Sequence, residues 1–162
     1  MDIYLTLLSG LVGTLIGGLI TWLTTRYTLN RQFKEERIRL ILQERKNEMI
    51  ALNSVLKEIE FNLIELINIE NIMKSTNSDF INFKASNAHH TLKKDKWDKH
   101  SDTIDMIDDL DFLNKLQAFY MNISHEIVKQ AASLERVTKL LDMGMFLKKE
   151  IESYIADYKT ER

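Results

Sequence analysis

The sequence predicts an all-α protein. A single amino-terminal transmembrane helix continues into a long stalk helix, and a cytosolic antiparallel bundle of about three helices follows. Three observations predict this. Ile3 to Leu23 is a run of twenty-one residues without one Asp, Glu, Lys, Arg or His. The 162 residues contain no proline, and four of the five glycines (Gly10, Gly13, Gly17 and Gly18) fall inside that run. The rest of the chain is therefore almost free of helix breakers. Beyond the run, apolar residues recur at steps of three and four, the period of a helix face.

The apolar run defines the first segment, residues 1–24. At 1.5 Å per residue it makes a helix of about 31 Å, close to the hydrocarbon thickness of a bilayer. Tyr4 stands near one end and Trp22 and Tyr27 near the other, where amphipathic rings favour the headgroup boundary. A cleaved signal peptide would need a positive n-region and a small-x-small cleavage site. Asp2 precedes the run instead, and Thr-Trp-Leu-Thr-Thr-Arg closes it, so a retained anchor is expected. No lysine or arginine precedes the run, whereas Arg26, Arg31, Lys34, Arg37, Arg39, Arg45 and Lys46 follow it. Positive flanks stay inside, which places the amino terminus outside and the remainder in the cytoplasm. The lack of cysteine agrees with that compartment.

Small and hydroxylated residues in and just beyond the run share one helical face. Thr6, Gly10, Gly13, Gly17, Thr21, Thr24 and Thr28 follow spacings of 4, 3, 4, 4, 3 and 4. Leu8, Leu11, Leu15, Leu19 and Trp22 form a bulky face. Ladders of small residues let helix backbones approach closely in lipid. The stripe is open to three readings: the ordinary composition of membrane helices, a homo-oligomeric contact face, or the lining of a narrow pore.

Residues 25–74 form the basic juxtamembrane and heptad-patterned segment. Seven positive side chains and three negative ones (Glu35, Glu36 and Glu44) lie between Arg26 and Lys46. This charge sets topology and attracts anionic lipid, with Arg26, Arg31 and Lys34 the expected headgroup contacts. Ile38, Leu42, Met49, Leu52, Leu56, Ile59, Leu63, Leu66 and Met73 keep an a/d seam over five heptads, broken by Arg45 and Glu70. Ile41, Val55, Ile64 and Ile67 widen the apolar face, favouring a bundle over a bare two-stranded coiled coil. With no breaker near Trp22, a membrane helix running unbroken into a stiff stalk is expected.

Residues 75–101 read as a polar connection, with Phe80, Ile81 and Phe83 pinning a short turn to the core. Lys93, Lys94, Lys96 and Lys99 surround Trp97, and Asp102, Asp105, Asp108, Asp109 and Asp111 follow. The carboxylates suit a helix amino terminus; a charged docking surface is the other reading. His89, His90 and His100 near these aspartates lack any metal-ligand spacing, so no metal site and no cofactor are expected. His125 belongs to surface or packing. Residues 102–162 hold a return helix from about Asp109 to Asp142, with Leu113, Leu116, Tyr120, Ile123, Ile127, Leu134, Val137 and Leu141 in register. Gly144 is the expected left-handed stop, and a short last helix runs from about Met145 to Lys159.

Leu56 to Leu63 (Leu-Lys-Glu-Ile-Glu-Phe-Asn-Leu), Lys96-Trp97 and Leu116 to Ile123 (Leu-Gln-Ala-Phe-Tyr-Met-Asn-Ile), set in this layout, resemble small single-span bacterial and prophage membrane proteins with helical cytosolic domains. Among these, the membrane channel effector of Hailong-type anti-phage defence is similar. That resemblance implies a homo-oligomeric channel held closed by a partner product, and it carries over no site residue because its motifs encode packing.

An enzyme is not expected: no nucleophile elbow, phosphate loop or metal motif is present. Nor is nucleic-acid binding, since the basic segment has no aromatic interleaving. Two functions remain. One is a homo-oligomeric channel or membrane-perturbing effector of four or more subunits, with the threonine–glycine stripe toward the axis and Asp2 ringing the outer mouth. The other is a membrane-tethered adaptor whose bundle binds a protein partner.

Overall fold

A computed structural model of the chain describes residues 2–82, 92–129 and 131–160; the side chains of 2–9, 11, 127, 128, 159 and 160 lie outside the described set. Helix α1 runs from Asp2 to Ser75 without a break. Strand β1 (Phe80–Asn82), helix α2 (Asp95–Ile104), helix α3 (Leu110–Lys129), strand β2 (Ala131–Ser133) and helix α4 (Leu134–Thr160) follow. The chain divides into two units, residues 1–44 and 45–162.

In the first unit every described side chain is exposed. Among the described residues, no helix is long and apolar enough to cross a membrane.

In the second unit the carboxy-terminal half of α1 supplies one wall of the core. Ala51, Leu52, Val55, Ile59, Leu63, Leu66, Ile69 and Met73 are buried. The heptad seam from Leu52 onward is thus consumed within the chain, as the bundle reading expects. Of the residues expected to widen the face, Val55 is buried, whereas Ile41, Ile64 and Ile67 are exposed; the face widens on the Val55 flank, where Ala51 and Ile69 are also buried. The helix ends where expected, and the reason is Asn77. Its φ of 48° is left-handed, and the Ser78 N–H donates back to the Met73 carbonyl at 3.0 Å, closing a Schellman-type end.

The expected single return helix is two helices. Ala131–Ser133 leave helical conformation to pair antiparallel with Phe80–Asn82, Ile81 opposite Ala132. Ile81 and Ala132 are both buried, so the turn near Phe80 is pinned by a backbone ladder; Phe83 lies outside the described residues. The Leu134 N–H donates to the Asp79 carbonyl, and the Ser133 hydroxyl accepts the Arg136 N–H at the start of α4. Leu147, Ile151 and Ile155 continue the core beyond Val137 and Leu141.

Gly144 is not a helix stop. It lies inside α4 without a positive φ. A Cβ there would stand 2.8 Å from Leu63 Cδ2 and 3.2 Å from Phe119 Cε2. The residue is a glycine because α1, α3 and α4 converge on it. Side-chain pairs fix the directions: Thr138 with Glu70, Lys148 with Glu60 and Tyr158 with Glu48 run α4 antiparallel to α1. Lys115 with Glu150 and Arg136 with Glu126 run α4 antiparallel to α3. Helices α1 and α3 are therefore parallel, and α2, which the sequence reads largely as connection, packs against both through Trp97 and Ile104.

Candidate functional site

On the first unit, the stripe of small residues faces open space. A Cβ added at Gly10, Gly13, Gly17 or Gly18 meets nothing within 4 Å. The Thr21, Thr24 and Thr28 hydroxyls donate to the carbonyls of Gly17, Ile20 and Thr24 at 2.8, 2.8 and 2.9 Å. Each hydroxyl is thereby satisfied by its own helix. Thr6 and Asp2 have side chains outside the described set. Around the stripe Val12, Leu15, Ile16, Leu19, Ile20, Trp22 and Leu23 are all exposed. Of the basic trio, Arg26 lies over the Trp22 ring at 5.2 Å, Arg31 pairs with Glu35 at 2.8 Å, and Lys34 is exposed.

The second unit brings together polar groups that sequence reading passes over. Glu58 and Asn62 sit one turn apart on α1, both buried. The Glu58 carboxylate accepts the backbone N–H groups of Lys96 and Trp97 at 2.7 and 3.1 Å. It therefore caps the amino terminus of α2 from another helix, filling orphan donors and meeting the positive end of the dipole. Asn62 clamps the Lys93 peptide, donating to its carbonyl and accepting its N–H, both at 2.7 Å. Trp97 then stacks on Tyr120, centroids 5.0 Å apart and planes at 7°. The buried Tyr120 hydroxyl has no hydrogen-bond partner among the described residues, and burial, reinforced by the nearby Glu58 carboxylate, pushes its pKa up.

At the other end of α3, Glu126 is buried. Arg136 Nη1 donates to Glu126 Oε1 at 2.9 Å and stands 3.0 Å from His125 Nδ1. His125 Nδ1 is itself 3.1 Å from the same carboxylate oxygen, so this histidine adjoins an ion pair. Glu126 Oε2 is buried without a partner among the described residues. The sequence signals were faint: a carboxylate three residues after Ile123 on the inward face, and Glu58 and Asn62 interrupting an apolar face.

The acidic cluster divides by role. Asp109 caps α3, accepting the Phe112 N–H at 3.0 Å, and also accepts the Tyr154 hydroxyl. Asp111 holds Lys115 at 2.6 Å. Of the histidines, His89 and His90 lie outside the described residues, and no metal-ligating group of three or more occurs among the described ones. The Phe112 N–H, and after it the Tyr154 hydroxyl, hold the Asp109 carboxyl below its ordinary pKa. A lowered carboxylate pKa contributes stability that is complete above the unfolded value of about 4 and is lost as pH falls through the folded value. Thermal melts between pH 6 and pH 2 should therefore show a smaller acid loss in Asp109→Asn than in wild type. Equal acid slopes would remove Asp109 from the acid transition.

Compared with known proteins, the chain matches no family model, no curated protein and no solved structure.

Proposed function

We propose that the chain is a homo-oligomeric single-pass membrane protein that acts as an ion channel or membrane-perturbing effector. One observation carries the reading. The glycine row at Gly10, Gly13, Gly17 and Gly18 and the bulky residues from Val12 to Leu23 have no cover from their own chain. The apolar run of Ile3 to Leu23, with no charge to solvate, supplies the reason to place that surface in lipid. Self-bonded threonine hydroxyls on Thr21, Thr24 and Thr28 leave their small face able to pack or to border a path. Asp2 then rings the outer mouth and favours cations. Arg26, Arg31 and Lys34 meet the inner headgroups, and the bundle assembles and gates. The resemblance to Hailong-type effectors gives the setting: a bacterial inner membrane, opening on infection.

The experiment is a subunit count of the full-length protein in nanodiscs, by native mass spectrometry, followed by bilayer conductance. Four or more copies with measurable current are expected. Gly13→Leu and Gly17→Leu should each lower that current by at least about tenfold, because a side chain as large as leucine prevents close backbone approach. A monomer or dimer cannot enclose a path with one helix each, and that count would leave the tethered adaptor.

A further inference from the structure

One face of α1 in the second unit has no cover from its own chain. Lys46, Ile50, Lys57 and Ile64 follow steps of 4, 7 and 7, which places them on one side of the helix. The buried wall of Ala51, Val55, Ile59 and Leu66 occupies the other side. Both lysines are exposed, and Ile50 and Ile64 are 48% and 59% exposed. Single exposed isoleucines are ordinary on a protein surface. A row in which they alternate with cations offers both kinds of contact to a partner that is acidic and apolar.

The chain carries such a surface itself. Around the α2–α3 turn, Asp105, Met106, Asp108 and Leu110 are exposed, the two apolar side chains at 70% and 74%. Asp111 beside them is already held by Lys115; Asp105 and Asp108 have no ion pair among the described residues. Three contacts fix the height of this turn along the bundle. Tyr158 reaches Glu48 and Lys148 reaches Glu60, so Tyr154, between them on α4, lies between them along α1. Tyr154 donates to Asp109, which sets the turn at the height of Ile50 and Lys57. Copies standing the same way up in one membrane therefore present the two surfaces to each other at one level. We infer that the outer face of α1 docks the α2–α3 turn of a second copy, Lys46 and Lys57 on Asp105 and Asp108, and Ile50 on Met106 and Leu110. The two surfaces belong to different elements, so the contact runs head to tail. Repeated about an axis normal to the membrane, it builds a ring.

This contact rests on the channel reading, and cross-linking of the full-length protein in nanodiscs separates the two. The chain has no cysteine, so each introduced thiol is unique. Ile50→Cys and Leu110→Cys, on separately tagged copies, are co-assembled and treated with a short bismaleimide. A covalent heterodimer is expected. None is expected from Ile50→Cys with Phe80→Cys, an exposed position that pairs with β2 at the far end of α3. Lys46→Glu with Lys57→Glu should lower the yield about 3- to 10-fold, since two attractions become repulsions. Asp105→Lys with Asp108→Lys on the other copy should restore it. All four charged side chains are exposed, so the fold tolerates these changes. An equal yield from the Phe80 control, or a yield unmoved by the lysine replacements, would overturn the contact. Four or more copies without the Ile50–Leu110 product would overturn the contact and leave the channel reading standing; a monomer would remove both.

Discussion

Glu58→Ala is expected to destabilise the second unit by about 2–4 kcal/mol, since it removes the carboxylate that accepts the part-buried Lys96 and Trp97 amides, each such hydrogen bond contributing roughly 1–2 kcal/mol. The loss is larger than removing a surface carboxylate would give, because Glu58 itself is 5% exposed and its partners are main-chain donors that cannot turn to water without moving α2. Glu58→Gln should recover part of it, as an amide oxygen still accepts one of the two N–H groups. Urea unfolding measures the stability. Amide hydrogen exchange gives the location: protection at Lys96 and Trp97 should fall first, and the Trp97 fluorescence should change as its stack on Tyr120 loosens. Unaltered protection at those two amides would mean that α2 holds its place without the cap.

Gly144→Leu is the second large effect. A leucine there must place four carbons where Leu63 and Phe119 already stand, and overpacking a formed core costs about 1–3 kcal/mol, more where three helices meet. Gly144→Ala separates this from the helix-stop reading. A left-handed stop would charge alanine and leucine alike, because the penalty falls on any Cβ. In the structure the cost grows with side-chain size, and alanine also gains helix propensity of roughly 1 kcal/mol. Alanine should therefore come within about 1 kcal/mol of wild type, and leucine should lie well below both in thermal unfolding. Equal losses would restore the stop.

The chain's helical nature was legible from its periodicity and from the missing prolines. So was the end of α1 near Lys74, since Ser-Thr-Asn-Ser offers hydrogen-bonding and left-handed residues at once. The inward faces of α3 and α4 were largely legible too, from Leu116, Tyr120, Ile123, Val137 and Leu141. The split between α3 and α4 was not. Ala131 and Ala132 are good helix formers, and only pairing with Phe80–Asn82, about fifty residues earlier, takes them out of a helix. The Ser133-Leu134-Glu135 capping pattern was the one local hint.

What the sequence determined by itself was local: a charge-free run of membrane length, a small-residue stripe, a basic flank and helices with one apolar face. These follow from spacing along one chain, which a 3.6-residue period converts directly into faces. What the tertiary structure alone decided was every contact between distant residues. Glu58 became a cap, Gly144 a crossing point, and Glu126 a buried acceptor, because each role is conferred by residues on another helix. A residue's own identity fixes what it can donate, accept or fill; only folding decides which group it meets.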